Sequence, residues 1–499
     1  MHVAGVGGTG KSHVIKAIVM LFERLKRRDE LLIGAPTGIA AVLIGGQTLH
    51  SLIFAGPNSK SANHEGLSSV WRDVQFLIVD EVSMVGAAFL SELSIRIRQG
   101  KGHDPQNRGK PFGGVNVIFM GDFGQLDPPR QASLYCYRLV KSPSFTESRD
   151  TSAILAMNGA FLWRQVDVVV YLKKNQRQSA DPLYAEFLSR LRIGKCTRKK
   201  APGEKDDLDY IQSRVLSNLE GRGLHREMQE FYNAPVIVGS RVLRDAVNAR
   251  LIEYHVERNN RQVFDYYSKD TFHKRRIPPA AQKLLWDIPS TKHHDTFGCL
   301  SIFIGMKVAV TENLAFDSRI VNGTEGVIVD IKYEEEDGRR YAVVAFVYVE
   351  GCGISVPNLE LGYPLSPEDK ARLLPDVVPI FPTGTSLKCD HINHPDLGGS
   401  FSRRQLPLVP AYAFTDYKSQ GRTFERAIVD LDSARRQGVY VMLSRVKSLV
   451  GLAILRWFPE SKIYSQLSEE LREELTRLDV LEMETNGLPE RDNRSNDLS

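Results

Sequence analysis

Apolar residues along the chain occur in two patterns, short uninterrupted runs and stripes with helical spacing. Residues 31–33 and 76–79 are short apolar runs, and 115–120 is apolar except for Asn116, which is typical of strands buried on both faces of a sheet. Residues 14–28 instead carry apolar side chains three and four positions apart and end in Lys and Arg, which predicts an amphipathic helix. Strands that alternate with helices predict a parallel, doubly wound α/β sheet.

The same alternation continues beyond this first block. Residues 166–172 predict another buried strand, 234–239 begin a second α/β block, and 411–455 resume it with strands at 427–431 and 451–455. A helix is predicted after Gly38, followed by a loop rich in Gly, Ser and Asn up to about residue 69. The second α/β block is therefore interrupted and then resumed.

The interruption has a different pattern. Residues 300–357 contain short β-rich runs separated by Asn322-Gly323 and Asp337-Gly338, dipeptides that favour tight hairpin turns. This predicts a small barrel-like insertion with Pro-rich connections to about residue 405. Residues 257–297 are polar, basic and poorly periodic, and their pattern assigns them to no class of element. At the far end, leucines from 467 to 478 predict an amphipathic helix, and polar residues 485–499 predict disorder.

Composition narrows the class of protein. A net charge of +5 and a pI of about 8.8 permit nucleic-acid binding without demonstrating it. No apolar run is long enough to span a bilayer, so no membrane partner is expected. The five cysteines form no C-x-x-C pair, which argues against a zinc site and a disulfide framework and favours a reducing compartment. Met1 stands so close to Gly5 that we expect no signal peptide and an amino-terminally truncated first domain.

The clearest chemical motif is the phosphate loop, residues 5–12, which fits G-x-x-x-x-G-K-[ST] between a predicted strand and a predicted helix. Glycines let backbone N–H groups turn toward phosphates, and a helix N-terminus favours the same anion. Lys11 adds a positive charge at the β- and γ-phosphates, and the Ser12 hydroxyl suits Mg²⁺. A flexible Gly-rich turn is the alternative. We therefore predict ATP and Mg²⁺ as cofactors, with contacts from Gly5, Gly7, Gly8, Thr9, Gly10, Lys11 and Ser12.

Two polar strand ends carry the predicted chemistry. Asp80 and Glu81 follow the apolar run 76–79, at the sheet edge where α/β proteins bind ligands. Asp80 can hold Mg²⁺, and Glu81 can orient and deprotonate the attacking water. Gln125 follows the run 115–120, and its amide can hydrogen-bond a γ-phosphate. The alternatives are an ordinary polar strand end for the carboxylates and a surface turn residue for Gln125.

A longer series of motifs resembles the Pif family of DNA helicases, the 5′-to-3′ branch of the superfamily-one helicases related to RecD. The resemblance covers nearly the whole chain, and its blocks occur in the family's order. They are GVGGTGKS, APTGIAA with GGQTLHS, LIVDEVSMV, PFGGVNVIFMGDFGQLDPP, LKKNQRQ, GMKVAV with VNGTEGVI, AYAFTDYKSQGRT and YVMLSRVKSL.

The resemblance implies further roles. Arg177 and Arg445 would neutralise charge in the transition state, which suits guanidinium because it is always charged and bidentate; surface ion pairs are the alternative. Gly421 would join the nucleotide contacts. Single-strand contacts would come from Thr37, Gly38, Thr48, His50, Lys418, Ser419 and Gln420. His50 by itself reads equally as a structural histidine, and Gln420 and Gly421 could instead link the DNA groove to the ATP cleft.

The pattern and the resemblance together predict two RecA-like parallel-sheet P-loop domains, with a small SH3-like β-barrel inserted in the second. The predicted divisions are 1–175 for domain one, 176–297 and 406–463 for domain two, 298–405 for the accessory insertion, and 464–499 for a helix and tail. Three departures from the family stand out. The adenine-contacting glutamine would precede the chain, Asp127 stands where the family commonly has proline, and residues 257–297 have no clear counterpart.

The predicted function is an ATP-dependent 5′-to-3′ DNA helicase that couples hydrolysis to translocation on single-stranded DNA. DNA repair, recombination or telomere maintenance would be its setting. We expect a monomer acting on single-stranded or forked DNA in the nucleus, with the mitochondrion left open. One alternative is a truncated, transposon-derived copy that binds DNA without catalysis. Another is an ATPase that remodels protein, against which the KSQG block argues.

Overall fold

The computed structural model describes residues 1–53, 64–102, 105–107, 109–141, 150–199, 206–221, 228–272, 275–293, 295–356, 374–388 and 399–487. Contacts within the chain define two compact units. The first unit comprises Met1–Asn233 and Ser419–Ser499, and the second unit comprises Ala234–Lys418. Each unit has its own buried apolar core.

The first unit is built on a six-stranded sheet in which every neighbouring pair is parallel. Its strands lie in the order Gln47–Thr48, Leu31–Ala35, Phe76–Val79, Asn116–Gly121, His2–Ala4 and Val169–Tyr171. The strand His2–Ala4 therefore lies inside the sheet. The loop that follows this strand lies at the sheet's carboxyl edge. The predicted parallel sheet is present.

The first unit is rich in helices, and several of them pack on the two faces of this sheet. Trp71 and Trp163 are fully buried in the core on one face, and Ile15 is fully buried in the core on the other. The helices are Lys11–Arg24, Gly38–Leu43, Leu49–Leu52, His64–Trp71, Ala87–Gly100, Arg138–Lys141, Thr151–Arg164, Pro182–Arg192, Asp207–Gln212, Leu216–Gly221, Gly438–Leu443, Ser461–Tyr464 and Glu469–Gly487. A further parallel pair joins Ala427–Val429 to Leu452–Ile454. Short 3₁₀ turns occur at Arg28–Glu30, Val82–Met84, Pro105–Asn107, Pro111–Gly114 and Leu449–Gly451.

The second unit contains one parallel pair and two largely antiparallel sheets. The parallel pair is Val236–Val238 with Ala413–Thr415. The larger sheet comprises Cys299–Ile302, Phe264–Tyr267, Arg339–Tyr348, Glu325–Glu336, Lys307–Val310, Leu408–Pro410 and, paired to Arg339–Tyr348, Val377–Ile380. The smaller sheet runs Arg275–Arg276, Lys269–Phe272, Ser400–Gln405 and Thr383–Lys388. Helices Arg241–Asn259 and Pro279–Trp286, with 3₁₀ turns Ser290–Lys292 and Leu374–Asp376, complete the unit; the short helix Asp416–Ser419 ends at its boundary.

The turn chemistry of the long hairpin follows its sequence. Asp337 and Gly338 join strands Glu325–Glu336 and Arg339–Tyr348 with φ angles of 53° and 70°. Two consecutive positive φ angles match the twist of a tight hairpin, and Asp-Gly is among the few dipeptides that adopt them readily. The predicted β-rich insertion is therefore present, with its turn where the dipeptide indicated.

Residues 257–297, to which the sequence pattern assigned no element, contain strands and helices, because partners distant in sequence pair with these polar segments. Three local predictions were wrong. Residues 64–71 form a helix where a loop was predicted. Residues 377–405 contain three strands rather than only Pro-rich connections. The last helix continues to Gly487, and the rest of the predicted tail lies outside the described residues. The predicted domain boundaries stay predictions.

Composition led to predictions about a membrane partner and about the cysteines. Across the described ranges, no helix is both long and apolar enough to cross a membrane. Cys136, Cys196, Cys299 and Cys352 are free thiols, and Cys389 lies outside the described residues.

A buried ion pair stabilises the smaller sheet of the second unit. Arg403 and Asp270 face each other across paired strands with neither side chain exposed, at N–O distances of 3.0 and 2.8 Å. Ser268 and Gln282 donate to the same carboxylate, and the Leu285 carbonyl accepts from the guanidinium. Most polar atoms of the pair are thus satisfied inside the protein.

We expect Asp270→Ala to destabilise the second unit by about 3–5 kcal/mol, because it leaves the guanidinium charged, buried and unpaired. Hydrogen exchange of peptides from the smaller sheet measures this loss locally. The double variant Asp270→Leu/Arg403→Met is the control, since removing both charges restores most of the protection. Equal protection in the single variant and the wild type would contradict the prediction.

Candidate nucleotide site

The phosphate loop lies between the strand His2–Ala4 and the helix Lys11–Arg24, at the carboxyl edge of the parallel sheet. Gly8 and Gly10 have φ angles of 92° and 90°, a conformation that side chains with a Cβ rarely adopt. Gly10 precedes the helix, and no side chain caps its first N–H groups. The loop therefore presents uncapped N–H groups of a helix N-terminus, which is the arrangement that binds phosphate.

Lys11 folds back over this loop. Its Nζ donates to the carbonyl oxygens of Gly5 and Val6 at 2.7 and 3.2 Å. Burial lowers the pKa of the ammonium, while Glu81, Asp122 and Asp80 raise it. The positive charge thus stands beside the loop among several carboxylates.

The carboxylates lie at the end of the strand Phe76–Val79, as predicted from the sequence. Asp80 is buried, and burial together with the neighbouring Glu81 charge raises its pKa to about 7. Its Oδ1 atom has no hydrogen-bond partner among the described residues. Ser12, at the start of the loop's helix, exposes its hydroxyl. A buried unpaired carboxylate oxygen and a hydroxyl are hard oxygen ligands, so this donor set fits Mg²⁺.

Glu81 adopts an unusual backbone conformation and has a partner from a distant segment. Its φ and ψ angles are 50° and 46°, in the left-handed region, where a non-Gly residue is strained. Gln420 Nε2 donates to Glu81 Oε2 at 3.0 Å. A Cβ added at Gly421 would lie 3.6 Å from Glu81 Oε1. The structure thus places Gln420 and Gly421 beside the predicted general base, while the role of these two residues stays a prediction.

Gln125 lies in the loop after the strand Asn116–Gly121 and is buried. Asp122 holds this loop: its carboxylate accepts from the Gly124 N–H at 2.9 Å and from Arg192 at 2.6 and 2.8 Å. Burial would raise the pKa of Asp122, but the Arg192 charge outweighs it and the pKa is lowered. Asp122 and Arg192 were not predicted as site residues from the sequence, although Asp122 stands in the same polar run as Gln125.

The two predicted arginines meet the phosphate loop at Gly7. A Cβ added at Gly7 would lie 3.1 Å from Arg177 Nη1, 3.5 Å from Arg445 Nη2 and 3.9 Å from Gln125 Nε2. Arg177 and Arg445 are separated by most of the chain, yet both lie in the first unit. The structure therefore brings Arg177, Arg445 and Gln125 together around one glycine of the loop.

Both guanidinium groups are bound to backbone carbonyls. Arg177 Nη1 donates to the Ser444 carbonyl at 2.9 Å, and Arg445 Nε donates to the Val441 carbonyl at 2.8 Å. Arg445 is 1% exposed, and burial together with the Arg177 charge lowers its pKa to about 9. Two guanidinium groups beside the same glycine of the loop, that of Arg445 buried and that of Arg177 partly buried, favour an anion next to them.

Asn175 is a further positioning group that the sequence analysis did not single out. Its Oδ1 accepts from the backbone N–H groups of Arg177 and Gln178 at 3.0 and 3.2 Å. This Asx turn sets the direction in which Arg177 leaves the chain. In the sequence, the Asn-x-Arg spacing of residues 175–177 is the feature that indicates this turn.

The predicted DNA contacts are distributed over both units. Thr37 and Thr48 accept from the N–H groups of Ala40 and Ser51, so both hydroxyl oxygens cap helices. Thr48 is buried, and its Oγ1 also lies 2.6 Å from Ser51 Oγ. The remaining predicted contacts are divided as follows: Gly38, His50, Ser419 and Gln420 lie in the first unit, and Lys418 in the second.

Their exposure differs. His50 is exposed and stacks on Phe89 with ring centroids 4.2 Å apart, whereas Gly38, Ser419 and Gln420 are buried. Lys418 Nζ lies 3.5 Å from Asp295 Oδ2. Nothing in this geometry tests DNA contact, and these assignments stay predictions.

Comparison with known proteins places the site in context. Residues 1–201 match the family model of PIF1-like helicases. The chain is 28% identical to the mouse ATP-dependent DNA helicase PIF1 over 476 residues, covering 91% of this chain and 57% of the mouse protein. The chain thus spans less than two thirds of that relative.

Solved structures show the same fold. A Bacteroides Pif1 helicase in complex with ADP-AlF3 and ssDNA has a TM-score of 0.61 at 21% identity, over 95% of this chain and 92% of that one. A structure describing DNA unwinding at forked dsDNA by two coordinating Pif1 helicases has a TM-score of 0.64 at 20% identity, over 97% and 94%. The predicted fold class, with RecA-like domains and a barrel-like insertion, is confirmed.

The raised pKa of Asp80 predicts a pH-dependent cost of the free site. Between the ordinary value of 3.8 and about 7, the carboxyl is protonated when folded and ionised when unfolded, so stability falls as pH rises through this window. Asp80→Asn keeps the group neutral, and its stabilising effect should grow by at most about 1.4 kcal/mol per pH unit. Thermal unfolding in EDTA at pH 5 and pH 8 measures this. The exposed Asp73→Asn is the control, and an equal gain at both pH values would contradict the assignment.

Proposed function

We propose, from the premise that the chain belongs to the PIF1-like helicase family, that it hydrolyses ATP and uses the energy to move along single-stranded DNA. The observation that carries this proposal is the meeting of Arg177, Arg445 and Gln125 at Gly7 of the phosphate loop, next to Lys11. Phosphoryl transfer needs little more than positioning and charge stabilisation, and these groups provide both.

Each residue has a distinct task in this proposal. The phosphate loop and Lys11 hold the β- and γ-phosphates, and Ser12 and Asp80 would hold Mg²⁺, which neutralises phosphate charge when bound. Glu81 orients the attacking water and accepts its proton. Arg177 and Arg445 stabilise the charge that develops on the transferred phosphoryl group.

Movement requires that hydrolysis be communicated to the strand-binding residues. Gln125 hydrogen-bonds the γ-phosphate and would release its loop when phosphate leaves. Gln420 connects the KSQG block to Glu81. A strand bound at this block would therefore alter the base, and hydrolysis would alter the grip on the strand.

The DNA substrate and its setting are part of the proposal. Single-stranded or forked DNA is the substrate class, and related structures bound to ssDNA and forked dsDNA support it. We assign 5′-to-3′ movement by a monomer and a role in repair, recombination or telomere maintenance of nuclear DNA, with mitochondrial DNA as the alternative.

We expect ATP hydrolysis to be stimulated by a single-stranded oligonucleotide and to depend on the residues around Gly7. Arg445→Ala should slow hydrolysis by roughly 10³-fold, as loss of an arginine finger does, and Glu81→Gln should abolish turnover while nucleotide binding persists. Steady-state hydrolysis and nucleotide-binding titrations measure both. The exposed Arg198→Ala is the matched control.

The outcomes separate the possible functions. DNA binding without turnover would indicate a non-catalytic DNA-binding protein, and turnover indifferent to DNA would indicate a different ATPase. A loss below tenfold in Arg445→Ala would show that Arg445 has a structural role.

A separate prediction concerns Gln420. Its amide donates to Glu81 Oε2 and so fixes the direction of that carboxylate. Gln420→Ala should reduce the stimulation of hydrolysis by single-stranded DNA about tenfold, since the connection between the KSQG block and Glu81 is lost. The ratio of hydrolysis rates with and without oligonucleotide measures this, and Gln420→Glu, which places a second carboxylate against Glu81, should be no better. An unchanged ratio in Gln420→Ala would contradict the connection.

A further inference from the structure

Asp127 joins two elements of the site that are distant in sequence. It stands two residues after Gln125, in the loop after the strand Asn116–Gly121. Its Oδ1 accepts from the hydroxyls of Tyr135 and Ser133 at 2.6 and 3.1 Å. Its Oδ2 accepts from Gln437 Nε2 at 3.3 Å. One carboxylate therefore anchors its own loop and also contacts a residue far along the chain.

Gln437 is placed to pass this contact on to Arg445. It is buried, and it immediately precedes the helix Gly438–Leu443. That helix ends just before Ser444, and Arg445 Nε donates back to its Val441 carbonyl. The hydrogen bond between Asp127 and Gln437 thus joins the loop of Gln125 to the helix that carries Arg445.

The backbone on both sides of this contact is held in costly conformations. Arg436 and Arg130 have φ angles of 45° and 59°, in the left-handed region that non-Gly residues rarely occupy. Such residues persist only where the surrounding structure determines them. The Arg436 guanidinium lies 3.9 Å from Asp127 but is 85% exposed, so that ion pair contributes little. Of the two partners on this distant segment, Gln437 is the buried one.

We propose that Asp127 is a positioning residue that fixes the Gln125 loop and Arg445 relative to each other around the phosphate loop. This inference rests on the proposed ATP hydrolysis and adds to it a residue at the end of the Gln125 loop. Asp127 acts through Gln437 and does not itself contact the phosphates.

The test exchanges donor and acceptor. Gln437→Glu places two carboxylates against each other and breaks the contact by repulsion. The double variant Asp127→Asn/Gln437→Glu restores a hydrogen bond with the donor on the opposite side. Tyr135→Phe is the matched control, because it removes a hydrogen bond to the same carboxylate and leaves the contact with Gln437 intact.

Gln437→Glu should lower kcat for ATP hydrolysis about tenfold with KM within about twofold, because a small displacement of Arg445 weakens only the transition state. The double variant should recover most of kcat. Tyr135→Phe should lower the melting temperature and leave kcat near that of the wild type. A kcat of Gln437→Glu equal to that of the wild type, or a double variant no better than the single one, would overturn the inference.

A second readout does not require turnover. Affinity for ADP with aluminium fluoride, relative to ADP alone, reports how well the site is arranged around the γ-phosphate position. Gln437→Glu should reduce this preference about tenfold, and the double variant should restore it. A wild type with neither hydrolysis nor this preference overturns the proposed function and the inference with it. A wild-type preference that Gln437→Glu leaves unchanged overturns the inference alone.

Discussion

The candidate site depends on the absence of a side chain at Gly7. Three polar groups from separate parts of the chain, those of Arg177, Arg445 and Gln125, lie within 4 Å of where a Cβ would be. Gly7 lies at the carboxyl edge of the parallel sheet, because its loop directly follows the strand His2–Ala4. That strand lies between two others. A phosphate group can therefore meet backbone N–H groups, an ammonium and two guanidinium groups at one point.

Burial gives this site its electrostatic character. The pKa of Asp80 is raised and those of Lys11 and Arg445 are lowered, in each case chiefly because burial disfavours the charged form. Charges held in this way are costly in the free protein. A metal-bound triphosphate carries the complementary charges, so its binding would relieve the cost at both the acidic and the basic groups. The same low dielectric would strengthen stabilisation of the transition state.

Hydrogen bonds between distant segments hold the groups in register. Gln420 contacts Glu81, Arg192 contacts Asp122, and Gln437 contacts Asp127. In each case a strand-end loop of the parallel sheet is tied to a residue from another part of the chain. These hydrogen bonds join segments that local sequence does not connect, and the proposed coupling of hydrolysis to movement requires such connections.

The chain's sequence by itself determined the elements whose signal is local. The phosphate loop, the strand ending in Asp80 and Glu81, and the Asp337-Gly338 hairpin follow from spacing, apolar runs and turn chemistry within a few residues. Tertiary structure alone decided the partner of Gln420, the pairing of Asp122 with Arg192, and the strands within residues 257–297. These depend on hydrogen bonds and burial between residues far apart in sequence, and such contacts leave no periodic pattern in the segments that make them.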